Sequence, residues 1–331
     1  MEPPKFSVVM PLYNKEQYVE RAIASVFNQQ CTDGEAVLQY ELIVVDDGST
    51  DRSASVAAKC IDGHSNCKLV QQRNSGVGAA RNRGVAESTG EYVCFLDADD
   101  WWEPIFLQQI NRLIHACPNA GIYCTGYYLV KNGKQSIAPI GVEKDFESGY
   151  IDYCRTYCRT LCMPVTSSST AVRRDCFDAV GGFDEKLSFG EDFHLWIRLA
   201  LKYPVALVNR PLANYFQDLP PKKRATRRLH NPEHHMLWNL DSMEATEREN
   251  KEVKRLFDLL RSGGLYRYYL SRRYHDATLP ELAKIDWSTL SAKAKKKYTI
   301  PLWVARTRFT LGEWGAACKR RILSALSRGR K

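Results

Sequence analysis

The 331-residue sequence contains no apolar run approaching the roughly 18 to 20 residues that cross a bilayer, so no transmembrane helix is expected. Nothing at the N-terminus resembles a secretory leader either. Pro3 and Pro4 run directly into the alternating segment Phe6–Met10 instead of a long apolar stretch, and a cytoplasmic location is the expectation. The eleven cysteines are odd in number and form no Cys-x-x-Cys pair, which fits reduced thiols better than a disulfide framework. Cys154, Cys158 and Cys162 follow one another at helical spacing without a nearby His, a pattern of a buried thiol stripe more than of a zinc site. No internal repeat occurs. With 44% hydrophobic and 26% charged residues, no segment is poor enough in apolar side chains to stay unfolded.

Acidic residues are outnumbered in the last third. Residues 218–331 hold 26 Lys/Arg against 12 Asp/Glu, while the preceding residues hold 21 against 26. A mildly acidic body thus carries a basic appendage, which points to a phosphate-bearing partner, an anionic membrane or nucleic acid. Two domains are expected, 1–217 and 218–331, the second mostly helical with a helix start at Asn231-Pro232 and a long charged segment to Leu260.

Within the first hundred residues two periodicities alternate. Phe6–Met10, Glu41–Val45, Lys68–Gln71 and Tyr92–Leu96 read as short strands. Between them lie an amphipathic helix carrying Val19, Ala22, Ile23, Val26 and Phe27, a second helix after Ser49-Thr50-Asp51, and a third over 77–87. That order predicts an α/β fold with a mainly parallel sheet covered by helices. Further on, 107–116 reads as a helix, Ile122–Val130 as a strand ending in an Asn132-Gly133 turn, and Glu191–Leu201 as a helix.

Ligands in open α/β sheets bind beyond the carboxyl ends of the strands, and there the sequence gathers polar residues. Pro11, Tyr13 and Asn14 follow the first strand, Asp46 and Asp47 the second, Asn74 the third, and Asp97, Asp99 and Asp100 the fourth. Carboxylates at the ends of neighbouring buried strands repel one another unless a cation intervenes. Asp97-Ala98-Asp99 therefore suits a hard divalent ion shared with phosphate oxygens.

Five segments in order resemble the family 2 glycosyltransferases with the GT-A fold. They are 8–14 (Val-Val-Met-Pro-Leu-Tyr-Asn), 44–51 (Val-Val-Asp-Asp-Gly-Ser-Thr-Asp), 74–82 (Asn-Ser-Gly-Val-Gly-Ala-Ala-Arg-Asn), 95–100 (Phe-Leu-Asp-Ala-Asp-Asp), and 181–184 (Gly-Gly-Phe-Asp) followed by 190–192 (Gly-Glu-Asp). The resemblance implies a single sugar transferred with inversion from a nucleotide diphosphate sugar, UDP-linked by family habit, to an acceptor hydroxyl. It also implies that Pro11, Tyr13, Asn14 and the Asp46-Asp47 pair hold the uridine, and that Asn74 and Arg81 reach the nucleotide. Asp97, Ala98 and Asp99 then form the metal motif for Mn²⁺ or Mg²⁺, with Asp97 and Asp99 as ligands. The Glu191-Asp192 pair resembles the family's general base, Asp192 being the better candidate. Chemistry agrees: an aromatic face stacks on a base, a guanidinium suits phosphate, and paired carboxylates have raised proton affinity.

The sequence departs from the polysaccharide synthases of this family in having no Gln-x-x-Arg-Trp after the base, which favours addition of one sugar. From their charge, Lys222, Lys223, Arg224, Arg227 and Arg228 are expected to close over the diphosphate. From Thr299 to Leu326 an amphipathic helix is expected, with Val304, Leu311, Trp314, Cys318 and Ile322 on one face, Trp303 flanking it, and Arg306, Arg308, Lys319 and Arg320 largely elsewhere. Preceded by Lys293, Lys295, Lys296 and Lys297, it suits the surface of an anionic membrane, on the inner face of the cell membrane, and a lipid-diphosphate-linked glycan as acceptor. Two other readings carry less of the sequence. A nucleotidyltransferase would have a Gly-rich basic loop near the N-terminus, and a nucleic-acid-binding protein would leave the acidic crown unexplained, so no nucleic acid is expected.

Overall fold

The computed structural model describes residues 5–32, 38–218 and 228–309. Lys222, Lys223, Arg224, Arg227, Leu311, Trp314, Cys318, Lys319, Arg320 and Ile322 lie outside them. The chain divides into two compact units, Met1–Glu244 and Ala245–Lys331.

The first unit runs β1 (Phe6–Leu12), α1 (Val19–Phe27), β2 (Tyr40–Asp46), α2 (Ser53–Ile61), β3 (Cys67–Gln71), α3 (Val77–Ala86), β4 (Tyr92–Phe95), β5 (Trp101–Trp102), α4 (Phe106–Ala116), β6 (Ile122–Lys131), β7 (Lys134–Ile137), β8 (Ser148–Ile151), α5 (Tyr153–Thr160), β9 (Thr170–Arg173), α6 (Arg174–Ala179), α7 (Glu191–Lys202) and β10 (Val205–Phe216). All ten strands join one sheet, ordered β3-β2-β1-β4-β9-β6-β10-β5, with β7 on β6 and β8 on β10. Strands β3, β2, β1 and β4 are mutually parallel, as the alternation of strand and helix predicts. Beyond β4 the sheet is mixed, because β9 inserts antiparallel between β4 and β6. Its four residues, Thr-Ala-Val-Arg, follow a Ser/Thr run that reads locally as loop.

Side-chain alternation assigns the faces. Phe6, Val8, Met10 and Leu12 of β1 pack with Ala22, Ile23 and Val26 of α1 and with Phe106, Ile110 and Leu113 of α4. On the other face Ile43 and Val45 meet Ala80 of α3, and Phe95 meets Phe177, Phe183 and Trp196. Close approach of α3 to the sheet requires Gly84: a Cβ there would stand 2.3 Å from Val9 Cγ1.

The first unit extends past the boundary expected after Gln217. Three short 3₁₀ turns, Pro232–His234, Met236–Trp238 and Asp241–Met243, replace the helix expected at Asn231-Pro232. They are tied to the loop before α7 by Ser188 N donating to His234 O (2.8 Å) and Met236 N donating to Phe189 O (3.1 Å). Charge content alone does not reveal such pairings. Cys154 and Cys158 are buried in α5, whereas Cys162 falls beyond it and contacts the Tyr127 hydroxyl at 3.3 Å.

In the second unit α8 (Glu244–Glu249), α9 (Lys251–Gly264), α10 (Tyr266–Leu270), α11 (His275–Ala283) and α12 (Ala292–Thr299) are short. Asn250 interrupts the charged segment and caps α9, its Oδ1 accepting from Glu252 N (2.9 Å) and Val253 N (3.3 Å). Val253, Leu256, Phe257, Leu265 and Leu282 form the core, and the buried Arg261 pairs with Glu247 at 2.5 Å. The helix expected from Thr299 is interrupted by Ile300-Pro301 and restarts at 302. Among the described residues no helix is long and apolar enough to cross a membrane.

Candidate functional site

Four parallel strands end at one edge, and the loops leaving them build two adjoining polar clusters. In the first, Asn14 adopts a left-handed backbone (φ 52°) and its Oδ1 accepts from Thr50 N (2.8 Å) and Asp51 N (3.3 Å). Asp51 Oδ1 in turn accepts from Ser53 N (2.9 Å), which starts α2. Both carboxylate oxygens of Asp47 are taken up by the 72–76 loop, from Gln72 Nε2 (2.9 Å), Ser75 N (2.8 Å) and Gly76 N (3.0 Å). Asn74 spends its amide on Asp47 O (2.9 Å). These residues therefore shape the walls of the cleft. Asp46, with Ser49 N at 3.2 Å and Gln71 Nε2 at 3.3 Å, keeps spare acceptor capacity, since a carboxylate offers about four lone-pair sites. Pro11 is buried in β1, and Tyr13 just beyond it is 46% exposed, an open aromatic face at the cleft.

The second cluster forms around the loop between β4 and β5. Asp97, Asp99 and Asp100 have different surroundings, Ala98 being buried between the first two. Asp100 is a structural anchor: Oδ2 accepts from Ser168 Oγ (2.6 Å) and Oδ1 from Phe216 N (2.8 Å). Burial and the neighbouring Asp99 and Asp97 push its carboxyl well above the usual range. Asp97 receives Arg81 Nη2 at 2.7 Å on Oδ1, and Asp99 receives Lys15 Nζ at 2.5 Å on Oδ2. Burial raises the Asp99 carboxyl, and Lys15 opposes that rise.

Arg81 departs from its expected role on the nucleotide. It is 2% exposed, and its two terminal nitrogens bridge Asp97 and Glu191 (Nη1 to Oε1, 3.0 Å). Burial works against its charge, yet Asp97, Glu191 and Asp192 hold it protonated. A guanidinium so enclosed orders the acidic groups instead of meeting phosphate.

Glu191 and Asp192 open α7 behind Gly190, whose φ of 77° allows the sharp entry and whose missing Cβ leaves room for Met236, 2.6 Å from the position it would take. Burial first, then Glu191, push the Asp192 carboxyl up to about 7, only partly offset by Arg81. Glu191 is engaged by Arg81, and Asp192 is the one of the pair able to exchange a proton near neutrality. On β10, Tyr215 is 38% exposed; burial and the fields of Asp100, Asp192, Asp97 and Asp99 keep its phenol protonated.

Lys15 and Ser168 were not among the residues expected here. A lysine directly after the Tyr13-Asn14 motif was a visible sign for the first. Nothing local marks the second. His194, on the next turn of α7, is buried and held neutral, burial pushing its imidazole down to about 4.

Could two carboxylates hold a divalent ion? Asp97 keeps 30% of its side chain exposed, and among the described residues Oδ2 accepts no hydrogen bond. No group of three or more His, Cys, Asp or Glu converges among the described residues, so remaining ligands would come from water and substrate phosphate, the usual arrangement for Mg²⁺. The donor set fits on that condition.

Residues 7–181 match the description "Glycosyl transferase family 2". EpsH of Bacillus subtilis (strain 168) is 36% identical over 112 residues, covering 34% of this chain and 31% of its own. The amylovoran biosynthesis glycosyltransferase AmsB of Erwinia amylovora is 30% identical over 223 residues, 63% of this chain and 69% of its own. The match to EpsH thus spans less than a third of that relative. TarS of S. aureus, solved with UDP-GlcNAc, superimposes with a TM-score of 0.69 at 18% identity, over 92% of this chain and 87% of that one. A TarS structure with UDP gives 0.62 at 20%. These likenesses establish the GT-A architecture of a mixed sheet with flanking helices.

Proposed function

The chain belongs to glycosyl transferase family 2, and from that premise we propose that it transfers one sugar from a UDP-sugar to a glycan hydroxyl with inversion at the anomeric carbon. The observation that carries this reading is the continuous chain of contacts Asp97–Arg81–Glu191, which joins the donor-side acidic loop to the carboxylate pair that contains Asp192. Donor and base are thereby held in one rigid frame, as positioning of two reactants requires.

The cleft walls set by Asn14, Asp47 and Asn74 receive the nucleoside, Tyr13 offering its ring to the base and Asp46 an acceptor to a ring N–H. Asp97 and Asp99 would hold Mn²⁺ or Mg²⁺, which neutralises charge on the leaving diphosphate. Asp192 takes the proton of the acceptor hydroxyl as its oxygen bonds to the anomeric carbon. The electron pair of the breaking C–O bond leaves with the diphosphate, and no enzyme nucleophile intervenes. The UDP and UDP-GlcNAc complexes of the TarS neighbours support the choice of donor. The name of AmsB, an amylovoran biosynthesis glycosyltransferase, supports a biosynthetic glycosyl transfer.

The acceptor is read as a glycan on a lipid diphosphate, met by an enzyme resting on the inner face of the cell membrane. Supporting this, residues 287–309 carry six Lys/Arg and no Asp/Glu, and Trp303 is 74% exposed.

The test is a panel of UDP-, GDP- and dTDP-sugars assayed for divalent-dependent diphosphate release by the wild type and Asp99→Asn. UDP-sugars should turn over with Mn²⁺ or Mg²⁺, and the variant should lose both turnover and metal response, because an amide cannot supply the charge a hard cation requires. Full activity of the variant rules out the metal site; exclusive use of another nucleotide rules out UDP.

A further inference from the structure

Around the loop 97–100, three carboxylates face three cations, and the cations are held very differently. Arg81 is buried between two acids. Arg21 lies over Trp101, its guanidinium carbon 3.7 Å from the ring centroid, and donates to the backbone oxygen of Asp99 at 2.8 Å, leaving the Asp99 carboxylate alone. Lys15 reaches Asp99 Oδ2 at 2.5 Å on a flexible four-carbon stem, with 24% of its side chain exposed and this one partner among the described residues. Its backbone belongs to the other cluster, Lys15 N donating to Ser53 Oγ at 2.7 Å. The residue thus spans the nucleoside side and the acidic loop.

Resting on the metal reading above, we propose that Lys15 is the exchangeable cation of the donor site, holding Asp99 until a nucleoside diphosphate and a divalent ion arrive together, then moving from the carboxylate to a phosphate oxygen. The Asp99 carboxylate is already neutralised in the free protein, so an ion arriving alone must displace an ammonium from it, which disfavours metal binding without nucleotide. A nucleoside diphosphate provides the ammonium with a second anion at no cost in charge pairing, and Asp99 is released. Metal and nucleotide consequently bind cooperatively, and by linkage each strengthens the other by the same factor.

The experiment titrates Mn²⁺ into the full chain with and without UDP, reading free Mn²⁺ by electron paramagnetic resonance, for wild type, Lys15→Gln, Lys15→Arg and Arg21→Gln. In the absence of UDP, Lys15→Gln should bind Mn²⁺ up to about fivefold tighter than wild type, the scale of one partly exposed ion pair, and should gain less from UDP. Lys15→Arg keeps wild-type behaviour. Arg21→Gln removes an equal charge without freeing an Asp99 carboxylate oxygen and gives a smaller gain. Unchanged Mn²⁺ affinity in Lys15→Gln, or an equal gain in Arg21→Gln, overturns the proposal. Wild type that binds no Mn²⁺ even with UDP overturns the metal site itself, a separate result.

Discussion

Glu191 and Asp192 are adjacent in the chain and equal in charge, yet one is fixed by Arg81 and the other is left to its burial. The difference gives a pH signature. With Asp192 at about 7 against its ordinary 3.8, kcat/KM of the free enzyme should rise about tenfold per pH unit below neutrality and level off above it. Asp192→Asn should lower kcat about a hundredfold or more while calorimetry finds UDP affinity nearly intact. The sign for stability is opposite to that of a salt-bridged acid. A carboxyl raised in the folded state binds protons more tightly there, so its contribution falls as pH rises from about 4 through about 7. Asp192→Asn should therefore melt at the same temperature as wild type or higher at pH 8. A lower melting temperature, or lost UDP affinity with unchanged kcat, would show the base to be elsewhere.

At the scale of elements, α3 illustrates how packing serves the site. Its amphipathic signal is weak, but Gly84 lets it settle against Val9 and Val45, which carries Arg81 into the space between Asp97 and Glu191. Gly84→Ala gains up to about 1 kcal/mol of helix propensity, but its Cβ meets Val9 at 2.3 Å, and overpacking of this kind typically costs about 1 to 3 kcal/mol. A net loss of stability in urea unfolding is expected, with a lower kcat from the displaced guanidinium; an unchanged midpoint would contradict the packing. Strands β1 and β2 and helix α1 were legible because their periodicities span seven or more residues. Strands β5 and β9, of two and four residues, were not, since their pairing is decided by partners far along the chain.

For the molecule as a whole, charge separates an acidic catalytic body from a basic helical unit, and the membrane reading is tested on the exposed part of the latter. Lys293, Lys295 and Lys296 of α12 are unburied, and Lys297, which packs over Tyr266 and Tyr298, is left in place. Changing those three lysines to Glu together with Trp303→Ala should weaken binding to phosphatidylserine vesicles at least about tenfold, at roughly 1 kcal/mol per cation near an anionic surface. Diphosphate release from a UDP-sugar in solution should be unaffected. Equal vesicle binding by both proteins would remove the membrane from the account. The sequence by itself determined the strand and helix order of the first hundred residues, the clustering of polar residues beyond the strand ends, and the family, because hydrophobic period and motif spacing are local quantities. Which acid meets which donor was decided by the tertiary structure: Arg81 with Glu191 across 110 positions, Lys15 with Asp99 across 84, and the Ser168 hydroxyl with Asp100 across 68. Among 47 cations and 38 acids a pattern along the chain fixes the face a side chain takes, and only the packing of the sheet edge brings two such faces within hydrogen-bonding distance.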